Sequence, residues 1–136
     1  MIQRIQSVWL LLASAAAFLT IWLSLYSGTI NNVPYQKLNA YSGGVLILII
    51  TIVISVTAAL AIFLFKNRKT QIRLCLAAIV AELLLLVLYY SKIKQFSEGT
   101  LSLSSLLHAG ILAFLLLALK GIYSDEKLVR DSNKLR

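Results

Sequence analysis

The chain has 136 residues, 60% of them hydrophobic, with a mean hydropathy of +0.86 and a formal net charge of +8. That composition places about half the chain in a bilayer and leaves no stretch long enough for a separate soluble domain, so a single domain over residues 1–136 is expected. The basic balance does not indicate nucleic acid, because Lys and Arg flank apolar runs where anionic membrane headgroups attract them.

Four apolar runs cover residues 7–26, 43–65, 74–90 and 101–119. A helix rises about 1.5 Å per residue, so about 20 apolar residues cross a hydrocarbon core of about 30 Å, and each run is near that length or just short of it. The expected fold is therefore all-α, an integral membrane bundle of four spans.

The first run has Arg4 before it and small residues at Ala15, Ala16 and Ala17, features that imitate a signal peptide and its cleavage site. It continues past that site through Phe18, Leu19, Ile21, Trp22 and Leu23, so it is read as a span that stays. A mostly neutral connection follows at 27–42, with Gly28, Asn31, Asn32 and Pro34 as turn formers.

After the second run comes the basic hairpin Lys66-Asn67-Arg68-Lys69-Thr70-Gln71-Ile72-Arg73, short enough to make spans two and three antiparallel neighbours. The connection at 91–100 is similarly brief, so spans three and four pair as well. Beyond the fourth run, residues 120–136 place Glu126 four before Arg130 and Lys127 four before Asp131. That spacing supports a helix, either span four continuing or a separate short helix capped by Ser124.

Orientation follows from the basic residues. One side carries Arg4, Lys66, Arg68, Lys69, Arg73, Lys120, Lys127, Arg130, Lys134 and Arg136, and the other only Lys37, Lys92 and Lys94. Ten against three predicts that both termini and the middle hairpin are cytoplasmic. Trp9, Trp22, Tyr26, Tyr41, Tyr89 and Tyr90 fall near the predicted span ends, as amphipathic rings at headgroup level do.

Lipid tails give helices no apolar reason to associate, so small and polar residues mark the packing faces. They recur at helical spacing: Ser7, Ser14, Ala17 and Ser24 in the first run, Gly44, Thr51, Ser55 and Ala58 in the second, Gln71, Cys75, Ala78 and Glu82 in the third, and Ser105, His108 and Leu112 in the fourth, with Gly110 and Ala113 nearby.

Glu82 sits eight residues from either end of its run. A bare carboxylate there costs several kcal/mol, so it is expected to be neutral, paired or beside water. By the rise per residue, Glu82 lies about 12 Å and His108 about 16 Å from the cytoplasmic ends of their runs, within reach of each other on antiparallel neighbours. The pair can serve as a proton relay or the coupling site of a transporter, or it can fix the register of two helices. The register reading is preferred, because a relay needs further ionisable groups toward each surface and the runs supply none.

Other chemistries lack residues. One cysteine, Cys75, excludes an intrachain disulfide or dithiol pair, and with one histidine it leaves no set for a metal or a doubly ligated haem. No Gly-rich phosphate loop is present, and no acid but Glu82 could orient His108 in a triad. No enzyme and no cofactor are expected. The small multidrug transporters also combine four spans with one membrane glutamate, but theirs lies in the first span and their charge is balanced across the membrane.

Three segments carry a closer resemblance: the opening Met1-Ile2-Gln3-Arg4-Ile5-Gln6, the hairpin from Phe65 to Cys75, and Asp125-Glu126-Lys127-Leu128-Val129-Arg130 closing on Lys134-Leu135-Arg136. In these the chain resembles a family of small four-span inner-membrane proteins from Bacteroidota, classed as a domain of unknown function. The resemblance implies a bacterial inner membrane with both termini inside, and supplies no site residue. The expected role is an accessory or scaffold subunit of a larger inner-membrane assembly, such as one for protein export or insertion, with a small proton-coupled transporter or channel using Glu82 and His108 as the alternative. Lys66, Arg68, Lys69, Arg73, Lys127 and Arg130 are the expected contacts to a protein partner or to lipid headgroups.

Overall fold

The computed structural model describes residues 2–136, with side chains from Ile5 onward, so the Arg4 side chain lies outside the described residues. Four helices dominate: α1 (Ile2–Leu19), α2 (Val45–Phe63), α3 (Arg68–Ile93) and α4 (Leu106–Lys134). Between α1 and α2 run strands β1 (Tyr26–Ile30) and β2 (Val33–Leu38); between α3 and α4 run β3 (Glu98–Leu101) and a 3₁₀ turn at Leu103–Ser105. The helices form a ring, each packed on its sequence neighbours, with α4 closing onto α1.

The ring follows from one spacing. Buried positions alternate steps of three and four on every helix: Gln6, Leu10, Ala13, Ala17 and Thr20 at α1; Ile47, Thr51, Ile54, Ala58 and Ala61 on α2; Gln71, Cys75, Ala78, Glu82, Leu85 and Tyr89 on α3; His108, Ile111, Leu115, Ala118 and Ile122 on α4. A mean period of 3.5 keeps one seam toward the bundle axis and gives left-handed, knobs-into-holes packing at about 20°. The opposite faces expose Val80, Leu83, Leu84 and Val87 on α3 and Leu46, Ile49, Val53 and Leu60 on α2. Polar groups inside and apolar groups outside are the arrangement that a hydrocarbon solvent selects.

Three segments are long and apolar enough to cross a membrane by length and composition: Val45–Phe63, Arg68–Ile93 and Leu103–Lys134. The apolar part of α1, Ile5–Leu19, is shorter. This corrects the continuous span expected over 7–26. The helix ends at Leu19, where the Thr20 hydroxyl bonds back to the Ala17 carbonyl at 2.7 Å and a turn carries the chain toward β1. Trp22 and Leu23 are non-helical and Tyr26 already belongs to the sheet.

The all-α expectation is corrected as well, because both connections at that end are strands of one antiparallel sheet in the order β2-β1-β3. Asn31 and Asn32, with φ of 49° and 64°, form the two-residue turn between Ile30 and Val33 that right-handed strand twist favours in hairpins. Pro34, which cannot donate to a ladder, is on the edge strand; the register shifts opposite it, between Gly28 and Ile30, and Tyr35 takes a φ of 63°. Gly28 faces Gly99 across β1 and β3, and a Cβ on Gly28 would run into the Glu98 carbonyl. The backbone approach that joins the two connections thus depends on that pair.

At the other end only four residues separate α2 from α3, so the expected hairpin over 66–73 is mostly helix, and Asn67 caps α3 by accepting from the Thr70 amide. On the fourth segment, Leu101 is in β3 and the helix begins at Leu106. It then runs unbroken to Lys134, which decides the tail in favour of a continuing helix over a separate one capped at Ser124.

Candidate functional site

Every interface in the ring carries polar or close-packed contacts. Between α1 and α2 the Ser14 hydroxyl donates to the Ser55 carbonyl at 3.0 Å. Between α2 and α3 the Gln71 amide donates to the Ala61 carbonyl at 2.9 Å. Between α3 and α4, His108 Nδ1 lies 2.6 Å from Glu82 Oε1. Between α4 and α1, Gly121 packs so closely on Gln6 that a Cβ would come within 2.9 Å of the Gln6 Cγ, while Trp9 stacks on Phe114 with ring centroids 5.8 Å apart.

The Glu82–His108 contact joins an acid and a base inside the bundle. Glu82 is 1% exposed and His108 3%. An N···O separation of 2.6 Å requires a proton between the atoms, either carried by the carboxyl group and offered to a neutral ring, or carried by the ring and offered to a carboxylate. Tyr89 presents its ring edge-on to the imidazole at 5.4 Å and 67°. Neither the Tyr89 hydroxyl nor Glu82 Oε2 has a hydrogen-bond partner among the described residues. No residue of α2 is titratable. The hydroxyls of Thr51 and Ser55 instead bond back to the carbonyls of Ile47 and Thr51, at 2.8 Å each.

Surface cavities open at both ends of the bundle, with neither Glu82 nor His108 in the lining of those described here. One, of about 730 Å³, is a groove at the end opposite the sheet, between the α2–α3 turn and the far part of α4. Phe65, Lys66, Asn67, Arg68 and Lys69 form one wall and Glu126, Val129, Arg130 and Asn133 the other. Arg68 spans its base: Nη1 donates to the Asp125 carbonyl at 3.3 Å and Nη2 lies 3.4 Å from Asp125 Oδ2, an ionic contact that lacks hydrogen-bond geometry. Lys66, Lys69 and Arg130 are exposed and make no ion pair among the described residues.

Of the six basic residues expected to meet a partner, four line this groove. Lys127 lines a small crevice beside it with Tyr123, Glu126 and Arg130. Arg73, one turn further along α3, is exposed and belongs to neither cavity. At the sheet end stand Lys37 and Lys92, and Lys94 with its Nζ 5.0 Å from the centre of the Tyr90 ring. No group of three or more His, Cys, Asp or Glu that could hold a metal ion is present among the described residues.

Sequence reasoning placed Tyr89 in an interfacial belt, whereas it is 1% exposed against His108. The available signal was its position two heptad half-steps, seven residues, beyond Glu82 on the same face. Asp125, for which the sequence suggested no role, is the partner of Arg68. Leu112 and Ala113 were expected on the inward stripe of the fourth segment, but Ile111 and Leu115 hold it, and Ala113 is exposed like Gly44 in the second.

A family model described as a domain of unknown function, DUF4293, matches residues 2–135. The chain belongs to the DUF4293 family. No curated protein and no solved structure matches it. Membership in DUF4293 extends over nearly the whole bundle, sheet and α4 extension included, and brings no activity or residue role with it.

Proposed function

We propose that this DUF4293 protein is a non-enzymatic bundle of four spans in a bacterial inner membrane, with both termini cytoplasmic, acting as an accessory or scaffold subunit of a larger assembly such as one for protein export or insertion. The observation that carries this reading is the division of the polar groups. Inside, Glu82 of α3 and His108 of α4 contact each other at 2.6 Å, while Lys66, Lys69 and Arg130, none of them in an ion pair among the described residues, stand round one open groove at the end opposite the sheet. A bundle that spends its interior polarity on its own helices and presents charge at one end is built to be held in place and to be contacted. α1, with 18 residues against the 19 of α2, would cross with Trp22 at the headgroup level.

The test is purification from the native membrane in mild detergent. Wild type should bring down a stoichiometric membrane or cytoplasmic protein, and a chain truncated after Ile122 or carrying Arg68→Gln, Lys69→Gln and Arg73→Gln should release it without unfolding. Undiminished co-purification by both variants would move the interface to the spans.

A second reading, a small proton-coupled transporter, is favoured by one observation: Glu82 Oε2 and the Tyr89 hydroxyl are buried beside the shared proton without partners. Proton-driven uptake by proteoliposomes, abolished by Glu82→Gln, would establish it in place of the scaffold.

A further inference from the structure

The α4 helix does not stop where its packing stops. Ile122 is its last fully buried residue, and every residue from Lys127 to Lys134 is exposed. Eight residues of helix with no face against the rest of the chain gain nothing from tertiary packing, the usual source of stability for so short a helical segment. The Arg68–Asp125 contact nevertheless holds the base of this extension against the α2–α3 turn, which leaves a notch with two walls. By the rise per residue, Arg130 stands about 15 Å beyond Lys120, outside the headgroup layer of a bilayer whose core ends near that lysine. The upper wall of the notch is thus in water, out of reach of a lipid phosphate.

The chemistry of the notch is one-sided. Lys66 on the turn, Lys69 in the first turn of α3 and Arg130 on the extension present three cations without an ion pair among the described residues against one acid, Glu126. Phe65, 49% exposed, and Val129, 42% exposed, supply an apolar patch, one from each wall. Resting on the scaffold reading above, we propose that this notch seats an acidic helical or extended segment of a partner protein, its carboxylates meeting Lys66, Lys69 and Arg130 and an aliphatic or aromatic side chain covering Phe65 and Val129. Arg68 is not one of the contacts. Its guanidinium is committed to Asp125 and sets the width of the notch.

The test uses the full chain in nanodiscs of phosphatidylcholine, titrated with a fluorescent synthetic peptide of Glu, Leu and Ala and with its Gln-for-Glu counterpart. The acidic peptide should bind saturably and at least tenfold more tightly than the Gln peptide. The triple variant Lys66→Gln, Lys69→Gln, Arg130→Gln should lose that preference at unchanged thermal stability, all three side chains being exposed. Because a loss can have other causes, the variant Lys69→Glu, Arg130→Glu supplies a gain: it should prefer the Lys-for-Glu peptide over the acidic one. Equal binding of the acidic peptide by wild type and triple variant would overturn the proposal. So would a tenfold loss of peptide binding when phosphatidylglycerol replaces half the lipid, which would identify a headgroup as the occupant. The two readings fail separately. A native partner retained in full by the triple variant removes the notch and leaves the scaffold, whereas a wild-type protein that brings down no partner removes the scaffold while the peptide titration still decides the chemistry of the notch.

Discussion

Glu82 and His108 are connected by a bond whose worth depends on what replaces it. Glu82→Gln keeps the shape and one hydrogen bond to the imidazole, so thermal stability in detergent should stay near wild type. Glu82→Leu leaves His108 Nδ1 buried without a partner and should cost about 1 to 2 kcal/mol, the range of interhelical bonds in membrane peptides and of an unsatisfied buried group. A carboxyl-dependent transporter would invert the ranking, with Gln abolishing uptake in a protein of normal stability. Tyr89 gives a sharper structural contrast. Its hydroxyl has no partner, so Tyr89→Phe should change stability by less than about 0.5 kcal/mol, whereas Tyr89→Ala removes the ring packed on His108 and should cost about 3 kcal/mol or more. Both series are read as unfolding midpoints in one detergent. The polar pair was legible in the sequence because a lone acid and a lone histidine in apolar runs have few places to go. Tyr89 was not, since a tyrosine near a span end satisfies an interfacial position equally well, and only the contact with His108 separates the two.

At the scale of elements, the helices were legible and the sheet was not. Periodicity and length announce α2, α3 and α4. β1 and β2 have five and six residues, Gly28 and Pro34 within them argue against strands, and the pairing with β3 joins residues about seventy positions apart, which no local pattern encodes. Asn31 and Asn32 were visible as turn formers, yet their place between Ile30 and Val33 in a two-residue hairpin needed the strands to be recognised first. The end of α1 at Leu19 has the same origin, since the apolar run continues while the chain is drawn into the sheet. The sheet ties the α1–α2 connection to the α3–α4 connection, and Gly28 is its closest point. Gly28→Val should therefore separate β3 from β1, with hydrogen-exchange protection lost across Glu98–Leu101 and helical circular dichroism retained. Loss of both signals together would mean that the sheet is a condition for the bundle and not an addition to it.

For the whole molecule, the ring order and the sheet constrain the topology together. α2 and α3 are joined by four residues at one end, and the two longer connections meet in a single sheet at the other, so the helices alternate in direction and the start of α1 and the end of α4 share an end with the α2–α3 turn. That end carries Lys66, Arg68, Lys69, Arg73, Lys120 and the cations of the α4 extension, against Lys37, Lys92 and Lys94 at the sheet. Lys and Arg near span ends are retained on the cytoplasmic side during insertion, so the basic end should face the cytoplasm and the sheet the opposite compartment. Reporter fusions after Arg136 and within the turn at Lys66 should be active only as cytoplasmic reporters, and an insertion between Asn31 and Asn32 only as a periplasmic one. The N-terminal half of this prediction is the demanding one. If α1 lay in the periplasmic interface instead of crossing, the Asn31 reporter would still be periplasmic, but a fusion ahead of Ile2 would report the periplasm too. A cytoplasmic signal at both ends with a periplasmic signal at the hairpin requires α1 to cross, and a periplasmic signal after Arg136 would remove the four-span arrangement altogether.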